Sequence, residues 1–310
     1  MVKGNHSTVT EFNLAGLTDK PELQLPLFLL FLGIYVVTVV GNLSMITLIG
    51  FSSHLHTPMY HFLSSLSFID LCQSSVITPK MLVNFVSERN IISYPACMTQ
   101  LYFFLVLVIS ECHMLAAMAY DHYIAICNPL LYHVAMSYQV CSWMVVEVYF
   151  MGFIGATCSH SLHAKSAFLE GRCNQPLLLG SFPTTGALPL QYFYQRNSSL
   201  CFSAFNILFR SLTILSSYIF IVASILCIRS TEGRSKTFST CSSHISAVSV
   251  FFGSAAFMYL QPSSVSSMDQ GSVFCVLCYC CAHAEPPIYS LRNKDVKVAL
   301  IKFLEKRSFL

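Results

Sequence analysis

The chain has 310 residues, 55% of them hydrophobic and only 10% charged, with a formal net charge of +3. An ordinary soluble domain is about 25% charged, so a water-exposed surface for a chain of this size is excluded, and the mean hydropathy of +0.62 points to lipid as the solvent. The small positive balance, concentrated in the C-terminal half, excludes a nucleic-acid-binding surface; the 14 cysteines, scattered through apolar runs and connections alike, read mostly as small buried residues and not as a disulfide framework.

Residues 1–24 hold no apolar stretch long enough for a secretory signal, so the first membrane helix is expected to direct its own insertion. They carry Asn5-His6-Ser7, an N-x-S glycosylation acceptor that suits an extracellular N-terminus. A spanning helix needs about 20 mostly apolar residues. Residues 25–51 satisfy this without ambiguity. Residues 58–85 are diluted by serines and Asp70, which predicts a helix packed inside a bundle, its serines bonding to neighbouring helices. Residues 96–126 form a long mixed span containing Glu111 and Asp121. Residues 140–162 follow, with Gly152 and Gly155 at a spacing that lets another helix approach closely. Residues 201–228, 238–260 and 271–291 complete seven spans.

Seven is odd, so the termini lie on opposite sides. Arg229, Arg234 and Lys236 before the sixth span, and Arg292, Lys294, Lys297, Lys302, Lys306 and Arg307 after the seventh, place those segments in the cytoplasm by the positive-inside rule. The tail sets Val296, Leu300, Phe303 and Leu304 on one helical face with lysines elsewhere, the pattern of an amphipathic helix on the inner membrane surface. The expected organisation is an extracellular segment over 1–24, an all-α seven-helix membrane domain over 25–291, and a cytoplasmic amphipathic tail over 292–310.

Ionisable residues inside spans are costly and mark function by default. Asp70 and Glu111 read equally well as carboxylates sharing a cation or proton and as a protonated pair that fixes helix packing. Glu147 has no evident partner, and Arg210, about nine residues into the fifth span, is expected to snorkel outward, to pair with an acidic group or to mark a lesion. Cys278, Cys280, Cys281 and His283 resemble a metal cluster, but on a helix they spread around the axis, so no metal site is expected. With no metal-ligand helix, nucleophile elbow or phosphate loop, the chain is not expected to be an enzyme.

Gly41-Asn42, LHTPMY (55–60), Leu66 to Asp70, Pro79-Lys80-Met81, MAYDHYIAICNPLLY (118–132), Ser217-Tyr218, FSTCSSH (238–244) and PPIYSLRNKDVK (286–297) together resemble the olfactory receptors, a branch of the rhodopsin-like G-protein-coupled receptors. The motifs keep the family's order and spacing over nearly the whole chain. The resemblance implies an odorant pocket lined by Phe104, Leu105, Val108, Ile109, Phe202, Asn206, Phe252, Ala255 and Tyr259, an apolar wall for a small volatile organic with Asn206 or Tyr259 as polar handles. It implies a cytoplasmic switch at Asp121, His122, Tyr123, Tyr218 and Tyr289 that engages an olfactory-type heterotrimeric G protein, and a candidate sodium site at Asp70 and Glu111; no other cofactor is expected. It also implies a multi-pass plasma-membrane protein and a disulfide from Cys97, at the start of the third span, to a cysteine of the second extracellular loop, for which Cys173, the only cysteine in the 172–199 stretch, is a candidate that stands several residues before the family's position; the acceptor at Asn5 is the candidate glycosylation site.

Three departures from the family stand out. The family's Asp-Arg-Tyr is Asp121-His122-Tyr123, which exchanges an always-charged guanidinium for a mostly neutral imidazole. The family's Pro-Met-Leu-Asn-Pro run reads Ala282-His283-Ala284-Glu285-Pro286, and residues 172–199 show little of the family's second extracellular loop. These last two stretches suggest a shifted reading frame relative to a functional ancestor. The alternatives to a signalling receptor are therefore a retained or non-signalling receptor product and, from the intramembrane charges, a transporter.

Overall fold

The structure, a computed structural model, describes residues 11–13, 21–87 and 91–170, scattered helical positions between 212 and 253, and 296–301. Helix α1 (Pro21–Phe51) begins one turn before the predicted span. Proline suits a first helical position, where the missing N–H costs nothing, and Glu22 in the first turn complements the helix dipole. Helix α2 (Pro58–Val86) opens the same way, with Thr57 extended before Pro58, and agrees with the predicted 58–85 to within a residue. Helix α3 (Tyr94–Cys127) follows with Pro95 in its first turn. A single turn, α4 (Tyr132–Ala135), leads to α5 (Tyr138–Glu170), the fourth span of the sequence reading. At 33 residues α5 is about 50 Å long, well beyond a hydrocarbon core of about 30 Å, so it continues past the lipid.

Three of these helices are long and apolar enough to cross a membrane: Pro21–Phe51, Pro95–Cys127 and Tyr138–Ser161. Helix α2 falls short of that measure because serines and Asp70 dilute it, and it packs against α1, α3 and α5. Its serines do not bond across helices in the manner expected. Ser65 donates to the His61 carbonyl, and Ser74 and Ser75 both donate to Leu71, each within its own helix. A hydroxyl one turn above a carbonyl reaches it without any neighbour, so the local bond wins.

The pair α3 and α5 is set by the two glycines. A Cβ on residue 152 would collide with Ser110 Oγ and lie 2.8 Å from the Val106 carbonyl oxygen, while one on residue 155 would lie 3.0 Å from Ile109 Cδ1. Only glycine lets the backbones come this close, as the spacing predicts. The main core gathers Phe62, Leu66 and Ile69 from α2, Met114, Leu115 and Ala119 from α3, Cys141 and Val148 from α5, and Tyr218 and Ile221. A second cluster joins Met45, Leu48 and Ile49 of α1 to Leu55, Tyr60, Val296 and Ala299. The tail therefore docks on the end of α1, with Val296 buried and Leu300 half-buried, whereas Phe303 and Leu304 lie outside the described residues. Apolar side chains such as Val36, Val40, Trp143 and Phe150 point outward, as lipid-facing positions should.

One feature departs from an all-helical reading. Strand β1 (Glu11–Asn13) pairs antiparallel with β2 (Ile91–Ser93), in the register Glu11 to Ser93, Phe12 to Ile92 and Asn13 to Ile91. This short ribbon sits at the bundle end where α2 finishes and α3 begins.

Candidate functional site

At the opposite end, the turn after α3 folds back on it. Successive bonds from Leu131 to Asn128, Val134 to Leu131 and Met136 to Tyr132 wind residues 128–136 into α4. This winding carries Tyr132 to the end of α3, where its hydroxyl donates to Asp121 Oδ1 over 3.0 Å. Burial, then the Asp121 charge and its hydrogen bond, push the Tyr132 phenol well above its ordinary value, so it remains a donor throughout the physiological range. Asp121 and His122 are both buried, His122 at 8% exposure, and Tyr123 is half-buried. Tyr218 is buried beside Ile221 in the core against this part of α3. Four of the five predicted switch residues are thus among the described residues, Tyr218 packing into the α3-centred core; Tyr289 lies outside them.

The same turn presents Leu130, 96% exposed, with Leu131, Val134 and Tyr138 also exposed beside it. These apolar groups lie in and next to a connection between spans. On the neighbouring connection, the 3-10 turn Ser53–Leu55 is anchored by His56, whose Nε2–H donates to the Ile49 carbonyl over 3.1 Å.

A polar layer crosses the middle of the bundle. Asp70 is 1% exposed and Glu111 4% exposed, on helices α2 and α3 that pack directly together. Asn42 of α1, Gln73 and Ser74 of α2 and Ser110 of α3 are buried with them, Asn42 Nδ2 donating to Thr38 O over 3.0 Å. No group of three or more His, Cys, Asp or Glu side chains suited to a metal ion occurs among the described residues.

Towards the strand end, Phe104, Leu105, Val108 and Ile109 are all half-buried on α3. Val108 packs on the main core, and Ile109 sits in the seam against Gly155. His113 on the same helix turns its Nδ1–H to the Ile109 carbonyl at 2.7 Å. Beside them Tyr102 donates to Thr157 Oγ1 over 3.2 Å, since the one Thr157 proton goes to the Phe153 carbonyl. Phe202, Asn206, Phe252, Ala255 and Tyr259 lie outside the described residues, as do Asn5, Arg210, the 172–199 stretch and the 282–286 run. Cys97 is a buried free thiol, and Cys173 lies outside the described residues. Glu147 is exposed on the outer face of α5.

Three relationships were not legible in the sequence. The Tyr132 bond to Asp121 depends on how the 128–136 turn winds, although both residues stand in one quoted motif. The bonds from Gln100 to the Val76 carbonyl, 2.8 Å, and from Lys80 to the Ile91 carbonyl, 3.1 Å, join different elements across the α2–α3 connection. A polar residue near a proline in the adjacent helix was the available signal.

The sequence profile of the 7 transmembrane receptor (rhodopsin family) matches residues 41–289. Olfactory receptor 8G50 of Mus musculus is 63% identical over 310 residues, covering 100% of this chain and 99% of its own length. Olfactory receptor 8G1 of Homo sapiens is 63% identical with 99% of each chain covered, and olfactory receptor 8A1 of Homo sapiens is 56% identical with 100% and 95% covered. The fold is accordingly an all-α seven-transmembrane bundle, of which α1, α2, α3 and α5 form the first four spans. With the buried acidic residue at the end of α3, the tail helix docked on α1 and this likeness over its full length, the chain belongs to the olfactory receptors within the rhodopsin family of seven-transmembrane receptors.

Proposed function

We propose that this receptor binds a small volatile organic molecule at the strand end of the bundle and passes that event to a heterotrimeric G protein of the olfactory type at the α4 end. The strand end then faces outward and the α4 end the cytoplasm, in the plasma membrane. The observation that carries the reading is the pairing of a fixed element with an open one. Tyr132 is tied to buried Asp121, while Leu130, two residues earlier, offers a bare apolar side chain. A partner that buries Leu130 gains the transfer free energy of a leucine side chain, about 2 kcal/mol. A ligand on α3 shifts the bundle only through its difference in affinity between two conformations, and α3 runs from Phe104 to Asp121 without interruption.

Phe202, Asn206, Phe252, Ala255 and Tyr259 complete the ligand wall in this reading. Asp70 and Glu111 would hold a sodium ion, whose charge would let both carboxylates stay ionised in the dry layer. Asn5 would carry the glycan, and Cys173 would pair with Cys97. The test of the G-protein step is Leu130→Asp beside Leu130→Met in the surface-displayed receptor, read as cAMP. The aspartate variant is expected to lose the response at unchanged display and the methionine variant to keep it. Equal responses from both would remove Leu130 from the coupling surface.

A further inference from the structure

Pro79 lies inside α2 and has no N–H to give to the carbonyl four residues before it, so the helix loses a rung there. Next to that gap the Val76 carbonyl accepts Nε2–H of Gln100 from α3 at 2.8 Å. One residue past Pro79, Lys80 Nζ donates to the Ile91 carbonyl at 3.1 Å. Ile91 opens β2, which leads directly into α3 and pairs with β1. Two side chains that flank the proline in space therefore tie the end of α2 to α3 and to the ribbon. Gln100 also shares a face of α3 with Phe104 and Val108, at successive intervals of four residues.

We propose that Glu11–Asn13 is a strand latch which, through Lys80 and Gln100 as positioning residues, holds the α2–α3 corner and sets the opening to the ligand-facing side of α3. The inference rests on the ligand reading above for what lies behind the opening; the latch itself stands on the hydrogen bonds and the strand register. Removing either donor leaves a carbonyl beside the proline gap or at the ribbon without that partner, and the corner loosens. The N-terminal segment then contributes to ligand access although it touches no ligand.

The experiment uses the full-length receptor on intact cells, with an N-terminal tag and a protease site inserted between residues 14 and 20. Phe12 and Ile92 are direct cross-strand partners, so the Phe12→Cys, Ile92→Cys pair is expected to retain the tag after proteolysis through a disulfide, whereas either single cysteine releases it. Retention is expected to fall about tenfold with Lys80→Met or Gln100→Leu, the scale set by losing one hydrogen bond from a charged or half-buried donor, and to be restored by Lys80→Arg.

A second readout is the rate at which a small charged methanethiosulfonate labels Phe104→Cys. It is expected to rise by a similar factor, about tenfold, when the uncrosslinked strand is cut away or when Lys80→Met is introduced, at equal surface display. Release of the tag from the double-cysteine receptor would overturn the latch. Retention and labelling that ignore both Lys80→Met and Gln100→Leu would overturn the positioning roles. Neither readout needs an odorant, so a failure here is separable from a failure of the ligand reading.

Discussion

The hydroxyl of Tyr132 donates to Oδ1 of Asp121 across eleven residues of chain, at 3.0 Å, and so fixes the turn after α3 against the helix it has just left. The acidic residue at the end of α3 is thereby both buried and engaged. Tyr132→Phe removes the donor without removing the ring and is expected to cost about 1 kcal/mol of stability. Measured in detergent by thermal unfolding, it should also raise ligand-independent cAMP, because the turn is freed from α3.

The same pair has a defined pH dependence. Burial first, and then Asp121, raise the Tyr132 phenol above its ordinary value. The folded state therefore favours the protonated form, and the stabilisation is present below the ordinary phenol value of about 10 and is lost as pH rises beyond it through the raised value. The stability difference between the unmodified chain and Tyr132→Phe should be level from neutral pH to about 9 and shrink at more alkaline pH. A difference that collapses around neutrality would contradict this assignment.

Gly152→Ala should be strongly disruptive for its size. The added methyl meets Ser110 Oγ and the Val106 carbonyl oxygen, and the second is backbone and cannot step aside. A loss of about 1–3 kcal/mol is expected, seen as reduced surface display. Adding Ser110→Ala should restore only part of it, because the carbonyl remains. Gly155→Ala should be milder, since the end of the flexible Ile109 side chain is what it meets.

Leu55 and Leu130 give opposite outcomes for the same substitution. Leu55 is fully buried where α1, α2 and the tail meet, and Leu55→Ala should cost about 2–5 kcal/mol and loosen the tail. Leu130 is almost wholly exposed, so Leu130→Ala should leave thermal stability within about 0.5 kcal/mol of the unmodified chain. Thermal unfolding of the two variants side by side checks both.

Much of this architecture was legible because lipid imposes a strong filter on sequence. The runs at 25–51, 96–126 and 140–162 each lie within an observed helix, and the misjudged ends follow from cause. Pro21 begins α1 earlier than hydropathy alone allows, and α5 runs past the hydrocarbon, where apolar residues are no longer required. Gly152 and Gly155 were readable because a bundle has few uses for paired glycines besides close approach. The serines of α2 were misread: hydrophobic dilution revealed that the helix is interior, but the partner of a hydroxyl is settled by local geometry, and Ser65, Ser74 and Ser75 bond within α2.

The site was legible in part. Asp121, His122 and Tyr218 stand in motifs that the sequence displays, and all three are buried. Tyr132, Gln100 and Lys80 act through contacts that depend on how a turn winds or a proline opens a helix, which no periodicity records. The contact of Ile109 with Gly155 turns on the rotation of α3 about its own axis, which spacing alone does not fix.

The most direct test of a signalling receptor is the unmodified full-length chain carrying an outer-surface tag, with surface display and cAMP measured on the same cells against a panel of small volatile organics. Display together with a concentration-dependent cAMP rise to at least one member of the panel, lost in Leu130→Asp, is the expected result. A chain retained inside the cell, or displayed and silent to every volatile even with His122→Arg, would contradict it.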